Sequence, residues 1–311
     1  MKSLNILFIG GGKRVSAAQA FKQAAHKMGY DANVVSYEMG FGLPIESEAT
    51  VIQGLKFKDP EILNHLRNCI QEHRIDFAIP YHDQAVELLA QLTNDVFVPC
   101  SEVAVCKTFF SKIDSNTYFQ QIGLPTAGFN GKVPAIAKPD KGSASKGLLF
   151  FYEQAELDQF MASAMSTSYE IQQCIKGQEY SVDGYICLNS NNHFFAARKR
   201  LETLGGEAVR SLSVHHPAIE KACETLAQQP GIKGAITVQF IEDAETKQIY
   251  TMEVNPRFGG AMLTTWGAGV PWFEMVICDY LKLPYPTFTF KPNTLMVRSF
   301  REHFFEGYTH E

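Results

Sequence analysis

Residues 236–260 read "ITVQFIEDAETKQIYTMEVNPRFGG". Two apolar runs flank the polar break from Glu242 to Lys247, the pattern of two strands joined by a turn. In the second run Glu253, Asn255 and Arg257 stand two apart. Residues i, i+2 and i+4 of a strand project to one face. A carboxylate, an amide oxygen and a guanidinium should therefore line up, with Met252 and Val254 turned into a core. Pro256 suits a strand end better than its middle, and Gly259–Gly260 closes the run. The bland alternative is an exposed strand face carrying a salt bridge.

Upstream of this stretch the chain changes character once. "NILFIGGG" reads as a buried strand entering a glycine turn, and "VSAAQAFKQAAHKMG" as a helix stopped at Gly29. "DANVVSYE" and "IDFAIPY" read as further strands, and "DQAVELLAQLT" as a helix. "DPEILNHLRNCIQEHR" reads as a helix with Asp59 as N-cap and Pro60 at its first position. Strands alternating with helices indicate a parallel α/β unit. After the helix "KIDSNTYFQQIG" come short strands at "AIAKPD", "KGLLFFYE", "YEIQQCI", "QEYSVDGYIC" and "HFFAARKRLE", with few helices between them. The expectation is α/β plus α+β: a parallel-sheet domain over 1–104, then an antiparallel α+β unit over 105–311.

The 311 residues, 45% hydrophobic and 20% charged, suit a folded protein of this size. A net charge of -5 gives no global reason to expect nucleic acid or an anionic membrane as partner. No apolar run approaches the ~18 residues of a membrane span, and the N-terminal apolar run is too short for a signal peptide. Seven cysteines without a C-x-x-C pair suit reduced thiols and a cytoplasmic location.

Two glycine clusters invite phosphate readings. Gly10–Gly12 lacks the third glycine of a dinucleotide fingerprint, since Val15 stands there. A tight turn is the simpler reading, with Glu38 as a candidate ribose acid or the helix start as an anion site. Gly142 and Gly147 have P-loop spacing, but Leu148 and Leu149 replace the required Lys and Ser/Thr. That segment reads instead as a hairpin tip whose backbone can approach phosphates. Lys138, inside the apolar strand before it, either snorkels to solvent or has a partner.

Taken together, the strand lysine, the Gly/Ser hairpin, "YEIQQCIKGQEYSVDG" and the "Q…E-x-N-P-R" pattern of Gln239, Glu253, Asn255 and Arg257 resemble the ATP-grasp superfamily. The resemblance is nearest to the synthetase halves of the carbamoyl-phosphate synthase large subunit and their single-unit relatives, and it covers nearly the whole chain. It implies a Rossmann-like pre-ATP-grasp domain followed by the grasp itself, made of two α+β subdomains, the smaller over about 126–174 and the larger, metal-binding one over about 175–290. It implies that Lys112, with Lys107 competing, and Lys138 contact the nucleotide phosphates. Gly142, Ser143, Ser145 and Gly147 would belong to the flap over them. Gln172, Gln173, Cys174 and Ile175 would form the hinge that reads adenine, and Glu179 would hold the ribose. Gln239, Glu253 and Asn255 would be metal ligands, with Arg257 near the transferring phosphoryl group.

The resemblance further implies ATP and Mg²⁺, two ions being usual and Mn²⁺ an alternative. Hard oxygen ligands with few carboxylates suit Mg²⁺ bound through phosphates, and phosphoryl transfer rests on positioning and charge stabilisation. The implied reaction is an ATP-dependent carboxylate–amine ligation through an acyl phosphate, on an amino acid or other small metabolite. A carbamoyl-phosphate-synthase-like use of bicarbonate and a nucleotide-binding module without turnover are the alternatives. Arg200 and Arg210 flank "LETLGGEAV", which reads as a Gly-containing loop, and are candidate clamps for a substrate carboxylate; Arg298 and Arg301 are weaker ones. His215–His216, before Pro217, suits a helix cap or the surface. The sequence leaves room for a homodimer.

Overall fold

The computed structural model describes residues 2–142 and 146–307. β1 (Lys2–Ile9), β2 (Tyr30–Glu38), β3 (Thr50–Gln53) and β4 (Phe77–Pro80) form a parallel sheet in the order β3-β2-β1-β4. β1 is apolar on both faces because both are covered. Ile6 and Phe8 pack with α1 (Val15–Lys27), whereas Leu7 and Ile9 pack with α2 (Ile62–Glu72) and α3 (Asp83–Ala90).

Two details differ from the sequence expectation. β3 is only four residues long and half-buried, too short to show a period. α2 begins at Ile62, because Asp59–Pro60 forms a turn ahead of it in which Asp59 Oδ1 accepts from the Glu61 amide at 2.9 Å.

α4 (Val103–Phe110) and α5 (Lys112–Gln121) lead into a small antiparallel sheet. Its strands β5 (Ala135–Pro139), β6 (Leu149–Phe151) and β7 (Tyr169–Gln173) lie in the order β6-β5-β7. α6 (Gln154–Met161) covers one face with Leu157 and Phe160 against Ala135, Ala137 and Phe151. The opposite face carries Ile136 and Lys138, in register with Gln172 and Glu170.

A second antiparallel sheet is built from β8 (Gly177–Ile186), β9 (His193–Leu204), β10 (Glu207–Val214), β11 (Gly234–Asp243), β12 (Ile249–Asn255) and β13 (Leu295–Val297). Its order is β12-β11-β8-β9-β10-β13. α7 (Pro217–Ala227) covers one face through Ile219, Cys223 and Leu226. His216 caps that helix as expected: its Nδ1 accepts from the Ile219 amide, and its Nε2 lies 2.7 Å from Glu242 Oε2. α8 (Leu263–Gly267) and α9 (Trp272–Leu281) join this sheet to the parallel unit. The Phe273 ring meets Phe21 of α1 edge-on at 4.5 Å, and buried Trp272 donates through Nε1 to Thr265 Oγ1 at 2.9 Å. Burying a side chain of that size stabilises the fold by about 2–3 kcal/mol.

The segment "LETLGGEAV" is a correction. It is the tip of a β9–β10 hairpin, turned at Gly205 and Gly206 with φ of +58° and +82°, rather than a loop. β13 was also not anticipated. No helix among the described residues is long and apolar enough to cross a membrane. All seven cysteines are unpaired, six of them buried.

Candidate active site

Gln239 of β11 and Glu253 of β12 are direct cross-strand partners, as are Thr237 and Asn255. Just beyond the Gln239–Glu253 pair the ladder slips: Phe240 pairs with Thr251, leaving Met252 as an extra residue. A bulge of this kind re-aims side chains. Met252 accordingly lines the cleft beside Glu253 instead of entering the core, while Val254 is buried as expected. Asn255 Oδ1 accepts from Arg257 Nη2 at 3.2 Å, and Gln239 Oε1 accepts from Arg200 Nη1 at 3.1 Å. The three oxygen-bearing side chains are thus gathered at one strand end.

Two lysines approach this point from the small sheet and α5. Ser111 caps α5 by accepting from the Asp114 amide, and donates to Asp140 Oδ1 at 2.6 Å. That fixes Lys112 at the first helical position, where its Nζ donates to the Gly142 carbonyl at 2.8 Å. Lys107 is exposed on α4 and lines none of the cavities described here, so the structure favours Lys112. Lys138 is only 8% exposed. Burial lowers its pKa, opposed by the nearby Glu253 and Glu170 carboxylates.

Lys112, Lys138, Gly142, Gln172, Gln173, Cys174, Ile175, Glu179, Gln239 and Glu253 all line one cleft of about 560 Å³ between the two antiparallel sheets. Gly147 stands where the flap returns over β5, with φ of +74° and no room for a Cβ beside Pro139. Ser143 and Ser145 lie outside the described residues. The Cys174 amide is engaged by the Pro134 carbonyl at 3.0 Å. Glu179 is half-exposed and lies 3.3 Å from Arg200 Nη1.

A second cavity of about 270 Å³ adjoins the cleft, and the two share Arg200, Gln239 and Glu253 as walls. It is bounded by Arg14, Arg198, Arg200 and Arg257, each of which pairs with a carboxylate, Arg200 with the Glu179 already described. Arg257 Nε donates to Asp83 Oδ1 at 2.5 Å. Arg198 makes a two-pronged, fully buried pair with Asp183, at 2.8 and 3.1 Å. Arg14 grips Glu207 through both terminal nitrogens, at 3.0 and 2.5 Å, and Arg298 reaches the same carboxylate at 2.6 Å. Burial alone would raise the Glu207 pKa, but the two guanidinium groups prevail and hold it at about 2.

Arg210 is not brought to this cavity. It is exposed on β10 and lies 3.7 Å from Glu202, at a point where the β9–β10 ladder is irregular on either side of it. Arg14, Asp83, Arg198 and Glu207 were missed from the sequence. Arg14 and Asp83 had a signal, since each follows the C-terminal end of a parallel strand, where α/β sheets bind ligands. Glu38 accords with the tight-turn reading: its carboxylate accepts from the amides of Gly11 and Gly12 and from Ser36, closing its own glycine turn.

The donor set of Glu253, Gln239 and Asn255 fits magnesium. One carboxylate and two amide oxygens are hard ligands that leave room for phosphate oxygens in the shell. Among the described residues no three His, Cys, Asp or Glu side chains gather as a self-sufficient metal site.

A family model described as "ATP-grasp in the biosynthetic pathway with Ter operon" matches residues 169–300. Three solved structures illustrate the fold likeness. An N5-carboxyaminoimidazole synthetase from Staphylococcus aureus complexed with ADP is 19% identical, with a TM-score of 0.73 over 93% of this chain and 81% of that one. A 2-oxoglutarate carboxylase biotin carboxylase domain from Hydrogenobacter thermophilus, solved as a dimer with MgADP and bicarbonate, is 13% identical, with a TM-score of 0.72 over 94% and 73%. An L-amino acid ligase from Bacillus licheniformis is 17% identical, with a TM-score of 0.70 over 91% and 75%. No curated protein matches the sequence.

Proposed function

We propose that this chain, a protein of the ATP-grasp superfamily, is an ATP-dependent carboxylate–amine ligase working through an acyl phosphate. One observation carries the reading: the nucleotide-sized cleft and the arginine-lined cavity meet at Gln239, Glu253 and Arg200. A γ-phosphate held there would lie between the two lysines on one side and an anionic acceptor on the other. The working division is a parallel unit over 1–104 and a grasp unit over 105–311.

In this scheme Lys112 and Lys138 bind the phosphate tail, and the flap around Gly142–Gly147 excludes water. Gln239, Glu253 and Asn255 would hold magnesium, which neutralises charge on the phosphates. Arg198 and Arg257, fixed by Asp183 and Asp83, orient the carboxylate for attack on the γ-phosphorus. The oxygen–phosphorus bond to ADP breaks as the acyl–phosphate bond forms, and an amine then displaces phosphate. Arg200, between Gln239 and Glu179, is placed to follow the transferring group.

Bicarbonate is the smaller alternative acceptor. The four arginines that bound the cavity of about 270 Å³ suit either anion, and its size also admits an organic carboxylate. The test is ADP release with Mg²⁺ and ATP, using pooled amino acids and small carboxylates in one arm and bicarbonate plus ammonia in another. Hydroxylamine in the first arm should trap a hydroxamate from the acyl phosphate. ADP release from bicarbonate alone would replace the organic acceptor, and bound ATP without release in any arm would leave a binding module.

A further inference from the structure

Four residues on four neighbouring strands of the larger antiparallel sheet stand in one cross-strand row. Glu253 of β12 pairs with Gln239 of β11, Gln239 with Ser181 of β8, and Ser181 with Arg198 of β9. Direct partners project to the same face, and neighbouring strands lie about 4.8 Å apart. All four residues line the acceptor cavity. The row thus runs from the carboxylate and amide assigned to magnesium, through a hydroxyl, to a guanidinium. Ser181 has no role in the scheme so far.

Most donors in this cavity are already engaged. Arg257 uses Nε on Asp83, Nη1 on the Phe258 carbonyl and Nη2 on Asn255. Arg14 uses both terminal nitrogens on Glu207, and Arg200 uses its own on Gln239 and on the Gly206 carbonyl. Arg198 differs. Asp183 takes its Nε and Nη2, and Nη1 has no partner among the described residues. The Ser181 hydroxyl has none there either. Both residues are 3% exposed, so they are sunk in the floor of the cavity, yet neither atom is sealed off from it. Asp183, two residues along β8, does not contest the spot, because its two oxygens are turned to Arg198 and Thr265.

We propose, on the strength of the ligase reading, that the Ser181 hydroxyl and Arg198 Nη1 form a two-point seat for the acceptor carboxylate, each donating to one of its oxygens. A carboxylate matches this pair because it offers two acceptor oxygens and no donor. The row accounts for the place. An anion over Ser181 lies one strand, about 5 Å, from Gln239, and two strands, about 10 Å, from Glu253. It therefore faces a phosphoryl group gathered at the metal end of the row. Serine also leaves room: it is short between two long neighbours, so the ligand takes the space that a larger side chain at 181 would fill. Organic carboxylates and bicarbonate share the oxygens that this seat reads.

The test is ADP release by the full chain with Mg²⁺ and ATP, in wild type, Ser181→Ala and Ser181→Cys. The organic arm offers each amino acid, acetate and succinate in turn; the other arm offers bicarbonate plus ammonia. In whichever arm wild type turns over, Ser181→Ala should raise the KM for the carboxylate by about tenfold, the loss of one hydrogen bond to a charged group. The kcat should stay within about threefold. Ser181→Cys keeps the volume but donates weakly, so it should show the same rise. Calorimetric affinity for ADP with Mg²⁺ and the melting temperature should match wild type in both variants. An unchanged KM in Ser181→Ala, or a wild-type KM in Ser181→Cys, would overturn the seat while the ligase stands. So would a loss of ADP affinity as large as the rise in KM, since the serine would then serve the packing of the sheet. A wild type that releases no ADP in any arm overturns the proposed function and the seat with it.

Discussion

Arg257 Nε donates to Asp83 Oδ1 across 2.5 Å, so the last polar residue of the β12 row is held by the first residue of α3. The bridge ties the parallel unit to the chemistry of the grasp unit. Asp83→Asn keeps the shape but removes the charge-assisted bond and frees the guanidinium to swing. Turnover measured by ADP release should fall by about 10–100-fold. The KM for ATP should stay within about twofold, because neither residue touches the base or the two phosphate lysines. An equal loss in both parameters would show that the bridge serves domain packing alone.

Glu253 is the single carboxylate of the proposed metal set and the cross-strand partner of Gln239. Glu253→Gln leaves three neutral oxygens at the strand end. Mg²⁺ should then no longer strengthen ADP binding, and turnover should drop by more than about a hundredfold. Titrating ADP with and without Mg²⁺ reads the first effect directly. Metal-dependent binding that survives would remove Glu253 from the ligand set.

Lys138 is buried between Glu170 and Glu253. Lys138→Met keeps the length of the stem but strands two carboxylates, so both nucleotide affinity and thermal stability should fall. Lys138→Arg should not rescue affinity, since a planar fork does not fit a slot shaped for a point charge. Lys112→Met is the contrast. That lysine sits at the rim with Gly142, and its loss should weaken ADP binding with little change in melting temperature.

What the sequence revealed followed period and type. The row Glu253–Asn255–Arg257 was legible because strand alternation is local, whereas its partner Gln239 entered only through the family resemblance. The bulge at Met252 was not, because it arises from the mismatch between two strands and one strand alone does not show it. Arg200 and Arg210 share one neighbourhood in the sequence, but the β9–β10 hairpin brings only Arg200 to the cavity. Arg14, Asp83, Arg198 and Glu207 belong to four separate segments that only the tertiary fold brings together. Ser181 looked like one more strand residue, and its weight comes from the cross-strand row that it shares with Gln239 and Arg198.

Glu207 predicts an acid-range signature. Its folded pKa of about 2 lies below the ordinary value of 4.5, because Arg14 and Arg298 outweigh burial. A depressed carboxylate contributes stability that is complete above about pH 4.5 and disappears as pH falls toward about 2. Glu207→Gln should therefore be less stable than wild type at neutral pH, and the two melting curves should converge across that window. A gap that stays constant down to about pH 2 would mean that packing of the hairpin tip, and no charge pairing, sets the difference.

The buried pair Asp183–Arg198 separates stability from substrate binding. Thr265 Oγ1 donates to Asp183 Oδ2 at 2.8 Å and accepts from Trp272 Nε1, so the pair anchors α8 and α9 as well as the cavity wall. Asp183→Asn leaves a buried guanidinium without its counter-charge, which should cost about 3–5 kcal/mol in a urea denaturation series. Replacing both residues, Asp183→Leu with Arg198→Met, removes the stranded charge, and much of that loss should return. Nucleotide binding should survive in the double variant, because Arg198 lines the acceptor cavity and not the nucleotide cleft. ADP release driven by the carboxylate should not survive. A double variant that is both stable and fully active would take Arg198 out of the acceptor site.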